Sequence, residues 1–181
     1  MKTVLLVILI LSVTLTVQAQ LWLSDKVSLS FFSEAPLENI YAISHQGVSA
    51  IDMDSQSVYF KVAIRTFEFE KPLMQEHFNE KYLESDQYPY AEFKGSIQQP
   101  VDWQQKGIAT VVAHGQLTIH NVTKSYTVEA QLQTDGKFLA ANATFPVRLK
   151  DHHIRIPRLV IKNIAEEVEV TVSARYQLSN D

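Results

Sequence analysis

Cysteine is absent from all 181 residues. Thiol nucleophiles, cysteine-ligated metals, disulfides and a lipidated N-terminal cysteine are thereby excluded. A domain of this size folds without disulfides, so their absence is compatible with export. Glycine is scarce, at 5 residues, and no glycine-rich phosphate loop, GxSxG elbow or calcium loop occurs. The net charge is only −4 and no basic run is present, which argues against a nucleic-acid partner. Past the N-terminus no apolar run approaches the roughly 20 residues of a spanning helix. A stable membrane span is therefore not expected.

The one long apolar run stands at the start. Val4 to Val17, VLLVILILSVTLTV, is 14 residues without a charge and follows Lys2. It is short for a bilayer span and well sized for the core of a signal peptide. Val17-Gln18-Ala19 predicts cleavage after Ala19, with Gln20 as the mature N-terminus. The alternative is an uncleaved membrane anchor. The expected organisation is a signal peptide over residues 1–19 and one domain over residues 20–181, in a periplasmic or secreted protein.

That domain is dominated by period-two alternation, the mark of half-buried strands. Val27, Leu29 and Phe31 alternate with Lys26, Ser28 and Ser30. The same pattern runs through Val58–Ile64, Ala91–Ile97, Tyr126–Leu132, Ala141–Leu149 and Val168–Leu178. Two more strands are expected, over Val48–Met53 and over Ile108–Ile119, where Val111, Ala113, Leu117 and Ile119 share a face. Asp54-Ser55-Gln56, Gln99-Pro100 and Asp135-Gly136 supply turns. Only Pro72–Glu84 changes period, and it predicts a short amphipathic helix starting at a proline. About eight strands, each with one apolar face, close into a barrel or stack as two sheets, and sequential short connections favour an up-and-down order. The inward set mixes small residues (Ala91, Gly95, Ala113, Ala130, Ala141, Ala143, Ala174) with large ones. Such a mixture either interdigitates into a solid core or leaves a tapered cavity.

Two motifs carry a resemblance. EHFNEKYLESDQYPYAEFKG, Glu76 to Gly95, resembles an element of the YceI-like family in which a short helix leads through "sd.yP" into a strand. GQLTIHNVTK, Gly115 to Lys124, resembles that family's "G.LTIHGVTK". Asn121 stands where glycine is usual, and asparagine tolerates the left-handed backbone such a turn needs. The "HS...F...H" pattern of many members is missing from the first strand, where SFFSEAPLENI, Ser30 to Ile40, stands instead. The resemblance implies an eight-stranded antiparallel lipocalin-like β-barrel holding a polyisoprenoid, such as a quinone or polyprenyl phosphate, in an elongated cavity. It implies no cofactor and no reaction.

No catalytic or metal constellation emerges from the residues. Of the six histidines, His114 and His120 share parity but lie ~20 Å apart along a strand. His152 and His153 are adjacent, and a surface or turn role is expected for both. Glu76, Glu80 and Glu84 read as a solvated helix face, and HFNEK is not a zinc motif. Long apolar ligands gain most from aromatic and aliphatic walls. The candidate ligand-contacting residues are accordingly Phe31, Phe60, Phe93, Val111, Tyr126, Ala143, Phe145 and Tyr176, whose other possible role is plain core packing. The leading expectation is an exported lipid-binding protein and not an enzyme. A partner-binding module with a solid core and a lipid-modifying enzyme are the alternatives.

Overall fold

The computed structural model describes residues 21–34, 38–99, 101–102, 106–135, 138–156 and 165–178. The predicted signal peptide, Gly136 of the expected hairpin turn and Pro100 lie outside the described residues.

The strands are β1 (Leu21–Ser33), β2 (Ile40–Asp52), β3 (Ser57–Ala63), β4 (Glu68–Phe69), β5 (Tyr90–Ile97), β6 (Gly107–Ile119), β7 (Val122–Thr134), β8 (Phe138–Arg148) and β9 (Glu167–Leu178). Each barrel strand pairs antiparallel with its sequence neighbour, and β1 pairs with β9 as well as β2. The result is a closed, up-and-down, eight-stranded barrel, with the two-residue β4 attached to β2. Among the described residues closure leaves only the two-residue β4 as an end strand.

Alternation places the predicted faces as expected. Val62, Ile97, Val111, Leu117, Val128, Leu132, Val147, Val168 and Ala174 are buried. Lys94 and Arg148 project outward, with side chains 68% and 63% exposed. In β1 the parity slips by one residue: Trp22 and Ser24 point inward, then Val27 and Leu29, across a register shift between Ser24 and Val27. A bulge of this kind bends a strand and keeps its apolar set on one face.

β2 begins eight residues before the predicted strand, at Ile40 and not Val48. Its inward positions are Ala42, Ser44, Gly47 and Ser49, whereas Tyr41 and Val48 are exposed. Polar and small residues inside, with large ones outside, hide the alternation. The buried polarity is satisfied: Ser44 Oγ bonds Thr66 Oγ1 at 2.6 Å, and Ser49 Oγ donates to the Tyr59 carbonyl at 2.7 Å.

The predicted helix forms as α1 (Pro72–His77), which runs on through a π-helical turn, Phe78–Tyr82. Pro72 opens it, where its missing N–H costs nothing. Glu84 has left the helix and adopts a left-handed φ of 44°. His120 and Asn121 at the β6–β7 turn do the same, at 51° and 57°. Asn121 thus does take the backbone that glycine would take.

Candidate functional site

The barrel interior is not solid. A cavity of about 430 Å³ runs between the strands, walled almost wholly by apolar side chains. One end of the barrel is filled. Trp22, Val27, Ile51, Met53, Leu132 and Leu139 pack there with Tyr176. Ser49 spends its hydroxyl proton on Tyr59, so the Tyr176 hydroxyl donates to Ser49 Oγ, at 2.7 Å. This floor leaves its tyrosine satisfied, and burial pushes the Tyr176 phenol up to about 12.

The other end is roofed by α1 and aromatic rings. Phe78 stacks on Phe31 with centroids 5.6 Å apart and an interplanar angle of 22°. Phe67 and Phe69 complete the cluster, with centroids 5.0–5.8 Å from these rings. Such offset and tilted arrangements are the favourable ones for aromatic pairs. Leu73 lines the cavity while remaining 60% exposed, so the cavity wall reaches solvent beside α1.

Phe31, Phe60, Phe93, Val111, Ala143, Phe145 and Tyr176 line the cavity. Two glycines position the Phe93 ring. Gly95 and Gly115 are cross-strand partners, and a Cβ at Gly115 would lie 2.5 Å from the ring and 2.5 Å from the Lys94 carbonyl. The ring lies where a Cβ would stand, and no other residue leaves that space.

Tyr126 is the exception. Its parity is inward, but it does not reach the cavity wall. Its ring fills a gap between β7 and β8, edge-on to Phe145 at 6.1 Å, and its hydroxyl meets His152 Nε2 at 3.1 Å. His152 meets its expectation only in part. It lies in a turn, Leu149–His152, but is fully buried at 0% exposure, whereas His153 is exposed. His152 Nδ1 donates to the Val122 carbonyl at 3.0 Å. The neutral ring therefore carries its proton on Nδ1, and Nε2 accepts from Tyr126. Burial lowers the His152 pKa and raises that of Tyr126, so both groups are held neutral.

Glu84 belongs to no solvated helix face. It accepts a bond from His120 Nε2 at 2.8 Å and ties the end of the helical segment to the β6–β7 turn. Among the described residues no group of histidines and carboxylates is placed to hold a metal.

Sequence reasoning missed Phe67, Phe69, Phe78 and the α1 residues Leu73 and Met74 as wall. Phe67 and Phe69 do alternate with Glu68 and Glu70, a signal shortened by the proline at 72.

Comparison with known proteins bears on this architecture. The barrel is similar to a polyisoprenoid-binding domain of Saccharophagus degradans, with a TM-score of 0.75 at 13% identity over 90% of this chain and 100% of that one. It is similar to BcnA of Burkholderia cenocepacia, with a TM-score of 0.71 at 16% identity, covering 83% and 96% of the two chains. A YceI protein of Campylobacter jejuni aligns with a TM-score of 0.62 at 13% identity, covering 82% and 90%. No curated protein matches the sequence. At these identities the structural likeness speaks for the fold. The sequence profile of the YceI-like domain matches residues 15–176, nearly the whole chain, and the protein therefore belongs to the YceI-like family.

Proposed function

We propose that the protein binds one long apolar isoprenoid lipid, a quinone or a polyprenyl phosphate, inside the barrel, as a carrier or sequestering protein and not an enzyme. The observation that carries this reading is the cavity itself. Its volume of about 430 Å³ falls within the roughly 300–1,000 Å³ of small-molecule sites. Its walls are apolar and the Ser49 and Tyr176 hydroxyls at its floor are already bonded, so desolvation of a hydrocarbon chain supplies the binding energy, at ~25 cal/mol per Å². A branched, unsaturated chain suits walls that mix aromatic rings with Ala91, Ala113, Ala130, Ala141 and Ala143. The related Saccharophagus degradans domain, described as polyisoprenoid-binding, points the same way.

Export completes the proposal. The apolar run over Val4–Val17 and the Val-Gln-Ala site support a signal peptide ending at Ala19 and a periplasmic or secreted location. Among the described residues no helix is long and apolar enough to cross a membrane.

Native mass spectrometry of the purified protein, followed by lipid extraction, tests the binding. The expected result is an adduct of about one lipid per chain that yields an isoprenoid on extraction. Protein that is lipid-free as isolated, and takes up neither quinone nor polyprenyl phosphate after delipidation, overturns it.

A further inference from the structure

The barrel wall is unevenly zipped. β6 and β7 pair along their full length, from Gly107↔Thr134 to Ile119↔Val122. β8 and β9 pair equally fully, from Phe138↔Gln177 to Arg148↔Glu167. Between β7 and β8 the register runs only from Thr134↔Leu139 to Ala130↔Ala143. Beyond that point Val122–Glu129 and Thr144–Arg148 diverge, and both stretches are among the described residues. Pro146, which has no N–H to offer a ladder, lies in the divergent part of β8.

This gap opens directly over the cavity. Val128 and Ala130 line the cavity from the β7 side, and Ala143, Phe145 and Val147 line it from the β8 side. Asn142, exposed on the outer face, also borders it. What closes the gap is not a backbone ladder but a strap. The chain leaves β8 at Arg148, turns through Leu149–His152, and reaches back across to β7, where His152 bonds the Val122 carbonyl and the Tyr126 hydroxyl. The Tyr126 ring, stacked on His152 and edge-on to Phe145, fills the space between. Side-chain rotation opens such a closure, whereas a ladder opens only by breaking consecutive backbone bonds.

We propose that the β7–β8 seam is a lateral port of the cavity, closed by the Leu149–His152 strap and the Tyr126 ring, through which an apolar chain slides in sideways. The port rests on the reading of the cavity as a lipid site. Side access avoids drawing the whole chain past the aromatic roof of Phe31, Phe67, Phe69 and Phe78.

The absence of native cysteine makes the test clean. Glu129→Cys with Thr144→Cys places two exposed thiols just beyond the last β7–β8 pair, where a short bis-maleimide bridges the seam. Thr110→Cys with Gln131→Cys, exposed register partners on the fully zipped β6–β7 ladder, is the control. Uptake of an isoprenoid quinone from phosphatidylcholine vesicles is followed by quenching of tryptophan fluorescence. Bridging the seam is expected to slow uptake about tenfold while leaving the amount bound at equilibrium unchanged. The control bridge is expected to change neither. Tyr126→Phe, which removes the hydroxyl from the latch, is expected to speed uptake. A bridged seam that loads at the unbridged rate overturns the port and leaves lipid binding standing. Unbridged protein that takes up neither the quinone nor a polyprenyl phosphate at equilibrium overturns the lipid reading, and the port falls with it.

Discussion

The two seams on either side of β7 differ in what holds them. On the β6 side, backbone pairing is continuous from Gly107↔Thr134 to Ile119↔Val122. On the β8 side the pairing ends at Ala130↔Ala143, and a histidine, a tyrosine and a phenylalanine occupy the remainder. The filled floor and the hollow upper barrel differ in the same way. Leu139 and Met53 lie in apolar packing away from the cavity, whereas Phe145 faces empty volume. Rigidity is concentrated where nothing must pass. The wall depends on side chains where a ligand would.

The largest effect should separate floor from wall. Leu139→Ala removes a side chain that is 1% exposed from the floor cluster, and should cost ~2–5 kcal/mol in denaturant unfolding. Phe145→Ala should cost clearly less, because its ring already borders a cavity and its loss strands fewer contacts. Equal losses would mean that the upper barrel is as well packed as the floor.

Gly115→Ala comes next. The new methyl would meet the Lys94 carbonyl and the Phe93 ring, each at 2.5 Å. Displacement of strand and ring should cost ~1–3 kcal/mol. Thermal unfolding unchanged from wild type would show that the close approach is not needed.

Ala143→Trp, at the point where the β7–β8 ladder ends, tests the cavity without testing the floor. The indole should obstruct the cavity and abolish lipid uptake while folding persists. Full retention of binding by this variant would place the ligand elsewhere. Tyr126→Phe is milder: it leaves His152 Nε2 without its donor, and should cost ~1–3 kcal/mol.

Most of the fold was legible because seven strands present period-two alternation with an apolar inner face. Phe93 and Phe145 inside, with Lys94 and Arg148 outside, follow from that alone. The first part of β2, before Val48, was not legible, because Ala42, Ser44 and Gly47 face inward and Tyr41 faces outward. The bond from Ser44 to Thr66 makes that inversion tolerable, and periodicity does not record it. The cavity wall was legible by parity for Phe31, Phe60 and Phe93, but parity says only which face a residue takes. It could not tell that Tyr126 would meet a gap, since strand divergence depends on what β8 does beyond Ala143. The burial of His152 in its turn was not legible for a related reason. A histidine beside another histidine at a strand end looks solvated until the chain folds back to bury it.

The smallest expected effect is a pH dependence confined to the seam. At the floor, burial holds the Tyr176 phenol at about 12, so it stays neutral throughout the working range and contributes no slope. At the seam, burial lowers the His152 pKa below its ordinary value of 6.5, with Lys124 adding to the effect. The Val122 and Ile119 carbonyls and the Asp151 carboxylate oppose it without cancelling it, and Tyr126 faces the ring as a neutral donor. On acidification the unfolded chain therefore takes up this proton before the folded one does. The histidine's contribution to stability is complete above 6.5 and declines as pH falls from there to the lowered folded value. One proton limits the slope to about 1.4 kcal/mol per pH unit. His152→Gln keeps a side chain that can donate and accept but does not titrate, so this part of the slope should vanish. Denaturant unfolding of both proteins between about pH 7.5 and pH 5 measures the difference. The wild type should lose stability faster than the variant on the acid side, and quinone release should quicken over the same interval as the protonated ring leaves its apolar site. Parallel curves for the two proteins would mean that the buried imidazole pays no penalty for its charge and that the strap holds equally well at acid pH.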